Sequence, residues 1–263
     1  MKRVFTDVKK FWNYTSYNVK AELKSEVAGS FLSWVWWILD PLLYMCVYTF
    51  VADFVFGAGM EYFPIFVFIG LNCWQLFNKT VRNSVKLVSN KKGIVTKVYI
   101  PKYMFILEKI GTNGFKMLVS FALTAVFMII WGVPFSFRMF YFIPLAIMVG
   151  IVSFAFSTII MHFGVFVEDL LNIVTVGLQL VFYMSGIFYS IEDRIVAKHN
   201  LIGRVMIYGN PIALIMTDMR NVLLYNKDPH FLALGIWLAI CLLISVIGVK
   251  IIYKYENSYV KII

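Results

Sequence analysis

Apolar and polar positions fall in blocks along this chain, and the clearest block pattern lies between residues 63 and 131. An apolar run, FPIFVFIGLNCWQLFNKTV (Phe63 to Val81), is followed by a basic hinge, RNSVKLVSNKKGIVTKVYIPK (Arg82 to Lys102). A second apolar run then contains MLVSFALTAVFMIIWG. With their flanks, both runs are long enough to cross a hydrocarbon core of ~30 Å as helices. The hinge carries Arg82, Lys86, Lys91, Lys92, Lys97 and Lys102 and no acidic residue. Such an excess of Lys and Arg stays on the cytoplasmic side of a bilayer. Phe63 to Val81 is therefore expected to enter the cytoplasm and Met117 to Trp131 to leave it.

Extending this reading predicts six spans. The first is residues 31–56, with Trp34, Trp36 and Trp37 at the inner interface and Asp40-Pro41 one turn inside. Asp40 is costly against lipid, so it is expected to face the interface or a wet cavity. The second is Phe63 to Val81, after a short outer turn at Gly57 to Tyr62. The third is Ile110 to Trp131, the fourth Phe140 to Phe163, the fifth Leu171 to Tyr189, and the sixth Phe231 to Ile252. Glu168 and Asp169 are expected to cap the fifth span. Ser190 to Asp228 is the long outer segment. There Asn210-Pro211 is a helix-start signature, and Ile212, Ile215, Met216, Met219, Val222 and Leu223 make one apolar face. This predicts a half-buried or re-entrant outer helix between spans five and six.

Residues 1–30 form a separate N-terminal unit ahead of the six-span domain, 31–263. Residues 1–25 lack the apolar core of a signal peptide. At 100° per residue Val4, Val8, Phe11, Trp12, Thr15, Val19 and Leu23 share one arc, with Lys9, Lys10, Asn13, Lys20 and Lys24 opposite. That pattern suits either a helix lying in the headgroup region or one packed in a cytoplasmic extension.

Composition fits an all-α integral membrane protein: 61% of positions are hydrophobic and 14% charged, against about half and about a quarter in soluble domains. The net charge of +10 changes meaning once it is located. Six Lys or Arg precede the first span, nine lie from Lys79 to Lys116 and three close the chain, leaving six outside beside five acidic residues. Both termini are thus expected inside, and no soluble surface gathers basic residues for nucleic acid. Cys46, Cys73 and Cys241, and His162, His199 and His230, have no ligand spacing, so no metal site is expected. There is no phosphate-binding loop, HExxH or nucleophile elbow, and the spans hold few of the carboxylates an ion-driven carrier needs. A transporter of this kind takes its energy from a partner.

Two patterns carry candidate function. Trp37, Pro41, Tyr44, Tyr48 and Val51 fall on one helix face, and that aromatic stripe either lines a path or packs helices. In the hinge, Asn90, Lys91, Lys92 and Gly93 signal a turn, and Ile94, Val95, Val98, Tyr99 and Ile100 are apolar residues set among lysines before Pro101. A loop of that character is either a docking element for another protein or hugs the membrane with snorkelling lysines.

These residues resemble the membrane subunit of type-2 ABC exporters that move polysaccharides: O-antigen, teichoic acid and capsular glycans. The resemblance runs from about Leu23 to Ile262. It is carried by GSFLSWVWWILDPL (Gly29 to Leu42), GLNCWQLF (Gly70 to Phe77), SNKKGIVTKVYIPK (Ser89 to Lys102), FYMSGIFY (Phe182 to Tyr189) and Asn210 to Leu223. KVYIP is the most specific of these. Asp40, Cys73, Gly186 and Glu168 depart from the family's usual residues. The resemblance implies a homodimer bound to two cytoplasmic ATPase subunits, which hold the ATP and Mg, so this chain has no cofactor or catalytic group of its own. It implies ATPase coupling through Asn90, Lys91, Lys92, Gly93, Ile94, Lys97, Val98, Tyr99, Ile100 and Pro101. A lipid-linked glycan would pass Trp37, Tyr44, Tyr48, Phe182, Tyr183 and Tyr189, with Asn210, Pro211 and Arg220 at the external mouth. The implied location is the bacterial cytoplasmic membrane. Competing readings are export of a drug or lipid-like molecule, and a membrane-embedded acyl- or glycosyltransferase, for which no polar constellation can be assembled.

Overall fold

The computed structural model describes residues 2–28, 33–51, 60–192, 195 and 200–262, and among these there is no strand. Helices α1 (Lys2–Ala28) and α2 (Ser33–Phe50) precede α3 (Phe63–Ser84). Two one-turn helices, α4 (Leu87–Asn90) and α5 (Lys92–Val95), fold the hinge. Then come α6 (Tyr103–Ile130), a 3-10 turn (Phe137–Tyr141), α7 (Phe142–Phe166), α8 (Leu170–Met184), α9 (Asn200–Tyr208), α10 (Pro211–Leu223) and α11 (Phe231–Ile262). Most of the turn at Gly57 to Tyr62, the end of the first predicted span, and His199 lie outside the described residues.

α3 is the centre. Residues 63–77 are apolar on nearly every side and buried nearly throughout, as an all-round hydrophobic helix must be. It packs on α2, α6, α7, α8 and α10. Its start is set by Tyr62, held at a φ of 56°, and by Pro64 in the first turn, where a missing N–H leaves no bond unmade. α7 crosses close by: a Cβ on Gly164 would collide with the Val85 carbonyl just past α3, and one on Gly248 of α11 with Thr158 Oγ1 of α7. Small residues at such crossings let helix backbones approach.

Among the described residues three stretches are long and apolar enough to cross a membrane: Tyr103–Ile130, Phe137–Phe166 and Phe231–Tyr259. α2 and α8 are shorter, and α3 is interrupted by polar positions from Asn72 onward. α8 stops at Met184 rather than at Tyr189, because Gly186 takes a φ of 66° and turns the chain away. Asp169 is its N-cap residue, yet makes no side-chain capping bond. α11 runs beyond Ile252 to Ile262, because Tyr253, Glu256 and Tyr259 find partners there.

The two ends of the bundle differ. At one, Arg3 donates to Tyr99 Oη (2.7 Å) and Tyr99 donates to Glu256 (3.1 Å), so the N-terminal helix, the hinge and the C-terminal helix meet. At the other, Arg138 forks onto Asp228 (2.6 and 3.2 Å), tying the 3-10 turn to the start of α11.

Candidate functional site

The hinge is built by packing rather than left as a loose loop. Leu87, Val88, Val95 and Ile100 turn inward against Tyr103, Met104, Phe105, Ile106 and Met161, and Pro101 is buried with them. Asn90, Lys92, Gly93, Lys97, Val98 and Tyr99 remain exposed, with Ile94 half-buried. Burial holds the Lys102 ammonium below its ordinary range, and its contacts are the Ile100 carbonyl (3.3 Å) and the Tyr99 ring. Lys91 reaches down to Glu108 of α6 (2.6 Å), a carboxylate only 2% exposed. Asn18 of α1 donates to the same carboxylate (3.4 Å). The predicted coupling residues thus divide into an anchored set (Lys91, Ile94, Ile100, Pro101) and a displayed set (Asn90, Lys92, Gly93, Lys97, Val98, Tyr99).

α1 lies over this end of the bundle. Val4, Val8, Phe11 and Tyr14 pack inward, while Trp12, at the edge of the predicted arc, turns outward with Phe5 and Tyr17. Sequence periodicity missed what else faces inward. Asp7 accepts from Tyr253 (2.5 Å), Glu22 pairs with Lys109, and Glu26 pairs with Lys116. Every acid of α1 on its inner side has a basic or hydroxyl partner, so the outer face keeps the lysines.

Beyond the hinge, α2, α3 and α8 enclose a cleft of about 440 Å³. Asp40, Tyr44 and Tyr48 reach it from α2 at a spacing of four, and Thr175, Leu178, Gln179, Phe182 and Tyr183 from α8 at spacings of three and four. Trp74, Gln75, Asn78, Lys79 and Arg82 of α3 form its floor. The rings are in mutual contact: Tyr44 with Tyr48 (centroids 6.2 Å), Tyr48 with Phe188 (3.8 Å), and Trp74 with Phe182 (5.5 Å). Aromatic faces beside amides and hydroxyls form a surface that can hold the apolar C–H face and the hydroxyl edge of a sugar together. Four of the six predicted path residues, Tyr44, Tyr48, Phe182 and Tyr183, meet here. Trp37 does not: its Nε1 donates to Glu26 (3.0 Å) in a neighbouring pocket. Tyr189 also stands apart, packing toward α9 and α10 while its hydroxyl bonds the Tyr183 carbonyl (2.8 Å).

At the far end Asn210 caps α10 as its sequence predicts, accepting from Ile212 N (3.0 Å) and Ala213 N (3.3 Å), with Pro211 in the first turn. α10 is buried nearly all round. Arg220 is only 3% exposed and donates to the carbonyls of Phe66 (3.0 Å), Gly186 (2.8 Å) and Ile187 (3.0 Å), with its guanidinium on the Phe66 ring. It ties three elements together beside a small cleft of about 160 Å³ that also includes Glu61, Glu192 and Lys227. Asp218, wholly buried, accepts from His230 at both its backbone N (3.1 Å) and Nδ1 (2.6 Å). Nothing in the spacing of Asp218 and His230 signals this pair. Among the described residues no group of His, Cys, Asp and Glu could hold a metal ion.

No protein-family model matches the chain. It is similar to two proteins of Klebsiella pneumoniae described as O-antigen export system permease protein RfbA. One is 27% identical over 92% of both chains, the other 26% identical over 95% of this chain and 93% of its own. A protein of the same description from Myxococcus xanthus is 26% identical over 80% of each. With three membrane-length apolar helices, the chain is a membrane protein, and the resemblance read from its motifs is borne out by permease proteins of O-antigen export systems along four-fifths or more of its length.

Proposed function

We propose that this chain is the transmembrane subunit of an ATP-driven ABC transporter that exports a lipid-linked polysaccharide across the bacterial cytoplasmic membrane. The observation that carries the reading is the aromatic cleft between α2 and α8 in a chain similar over 92% of its length to an O-antigen export permease. In this reading α2, α3 and α8 join the three long helices as spans. The end bearing the hinge and both termini faces the cytoplasm, where its lysines satisfy the positive-inside rule. α1 lies there at the headgroup level, its lysines and outward aromatics toward the interface.

The cleft argues for a homodimer. Lys79, Arg82, Gln75 and Gln179 line a cleft that opens between helices whose other faces are apolar. Lys79 and Arg82 stand at its cytoplasmic end, where they reach the headgroups, but Gln75 and Gln179 lie deeper, and their amides find no partners in hydrocarbon. A second copy covering α2 and α8 encloses the cleft and turns it into a path. The chain has no ATP-binding motif, so hydrolysis belongs to two partner subunits. Those dock on the displayed hinge residues Lys97, Val98 and Tyr99. ATP and Mg sit on those partners.

Purification of the tagged chain from its native membranes, with a search for a co-purifying ATPase subunit and an ATPase assay with added lipid-linked glycan, tests the reading. A stable complex whose hydrolysis rises with glycan supports it. Absence of an ATPase partner overturns it.

A further inference from the structure

Beside the aromatic cleft, and separated from it by Asp40, Gln75 and Lys79, lies a second cavity of about 380 Å³ between α1, α2, α3 and α6. Ligand pockets fall in the range of roughly 300–1,000 Å³. Its lining is unlike that of a helix seam. Three carboxamides (Asn72, Gln75 and Asn113) and the Ser120 hydroxyl meet there with the indoles of Trp36 and Trp37. Asn72 is 2% exposed, and its side-chain Nδ2 has no hydrogen-bond partner among the described residues. A buried amide donor without an acceptor is destabilising. Asn113 is 8% exposed and donates to Thr80 Oγ1 (3.0 Å), which fixes its amide and leaves its carbonyl oxygen as an acceptor.

Charge decides what fits. Glu26 and Asp40 balance Lys79 and Lys116, so the cavity is formally neutral. Lys116 is already held by Glu26 (2.5 Å), and Lys79 donates to Gln75 Oε1 (3.4 Å) within the opposing fields of Asp40, Glu26 and Lys116. A diphosphate would have to break the Glu26–Lys116 pair and approach Asp40, both at a cost. A neutral, polyhydroxylated ring meets donors, acceptors and indole faces without disturbing that pair.

We propose that this cavity is a subsite for an uncharged sugar residue of the glycan at the hinge end of the path, with Asn72, Gln75, Asn113 and Ser120 as its hydrogen-bonding groups and Trp36 as its stacking face. The proposal rests on the exporter reading above and adds a site distinct from the aromatic cleft.

Cysteine accessibility in cells tests it, with the chain assembled with its ATPase and hydrolysis blocked so that substrate stays loaded. Cys46, Cys73 and Cys241 are first replaced by Ala. Leu76→Cys and Met117→Cys, which line the cavity but not the cleft, then report the cavity, and Tyr48→Cys the cleft, each retained only if it still supports export when hydrolysis is restored. The probe is N-ethylmaleimide. Labelling is compared in cells making the full glycan, cells stopped at the bare lipid diphosphate, and cells making neither. With substrate at about ten times its Kd the cavity is free about a tenth of the time, so labelling slows about tenfold. Slowing at Leu76→Cys and Met117→Cys by the full glycan but not by the bare lipid diphosphate is the expected result. Slowing at Tyr48→Cys alone overturns the subsite and leaves the exporter reading standing. Equal slowing by the bare lipid diphosphate assigns the cavity to the anion and overturns the sugar. No slowing at any position, Tyr48→Cys included, overturns the exporter reading along with the subsite.

Discussion

At the scale of single residues the far end depends on two buried polar groups serving as ties. Arg220 holds three backbone carbonyls that have no water to turn to, a planar fork that lysine cannot reproduce. Asp218 fixes the start of α11 through His230, whose second nitrogen approaches Glu192 (3.7 Å) and whose ring edges onto Tyr208 (5.7 Å). The Asp218 hydrogen bond, opposed by burial and helped by Glu192, holds the His230 pKa above the ordinary 6.5. The sign follows from linkage: a raised folded-state pKa adds stability that is fully present below 6.5 and lost as pH rises through the raised value. Thermal unfolding of the solubilised protein across that window should show the wild type losing stability toward alkaline pH. His230→Gln, which keeps a hydrogen-bonding amide but no titration, should lack that component. Identical profiles would show that His230 does not carry the dependence.

At the scale of elements the knot joining α1, the hinge and α6 is where packing and charge meet. Glu108 is 2% exposed, and its partners are Lys91 from the hinge and Asn18 from α1. Removing one partner of a buried pair costs about 3–5 kcal/mol because the other charge stays behind. Lys91→Met should therefore lower stability sharply and speed proteolysis of α1, whereas Lys91→Met with Glu108→Gln should recover much of the loss. A double variant no more stable than the single one would refute the pair as the tie. The sequence did not disclose this knot. Block hydropathy located the helices, and Asn210-Pro211 located the start of α10, because those signals are local. Glu108 sits 17 positions from Lys91 and 90 from Asn18, and only tertiary contact reveals such pairs. The end of α8 was misplaced for a related reason: FYMSGIFY reads as continuous apolar chain, and only the positive φ of Gly186 ends the helix. Once the chain turns there, Tyr189 leaves the cleft that Phe182 and Tyr183 line.

At the scale of the whole molecule the surface of the bundle is apolar on nearly every side, so apolarity alone does not locate a partner. Ile129 on α6 and Leu232 on α11 are as bare as Val176 and Leu180 on α8. The difference lies in what is between the helices. Behind Ile129 is an apolar groove lined by Phe121, Met128 and Phe142, which lipid chains can fill. Between α2 and α8 are Gln75 and Gln179, whose amides they cannot satisfy. A second copy of the chain is therefore expected over α2 and α8 and not over α6. The exposed edge of α8 makes this directly measurable. With Cys46, Cys73 and Cys241 replaced, Val176→Cys and Leu180→Cys should form disulfide-linked dimers in oxidised membranes, and Ile129→Cys should stay monomeric. Cross-linking at Ile129→Cys but at neither α8 position would place the partner on the lipid groove. The aromatic cleft would then be left open to the bilayer with Gln179 uncovered, and a path closed by a second copy over α2 and α8 would be refuted.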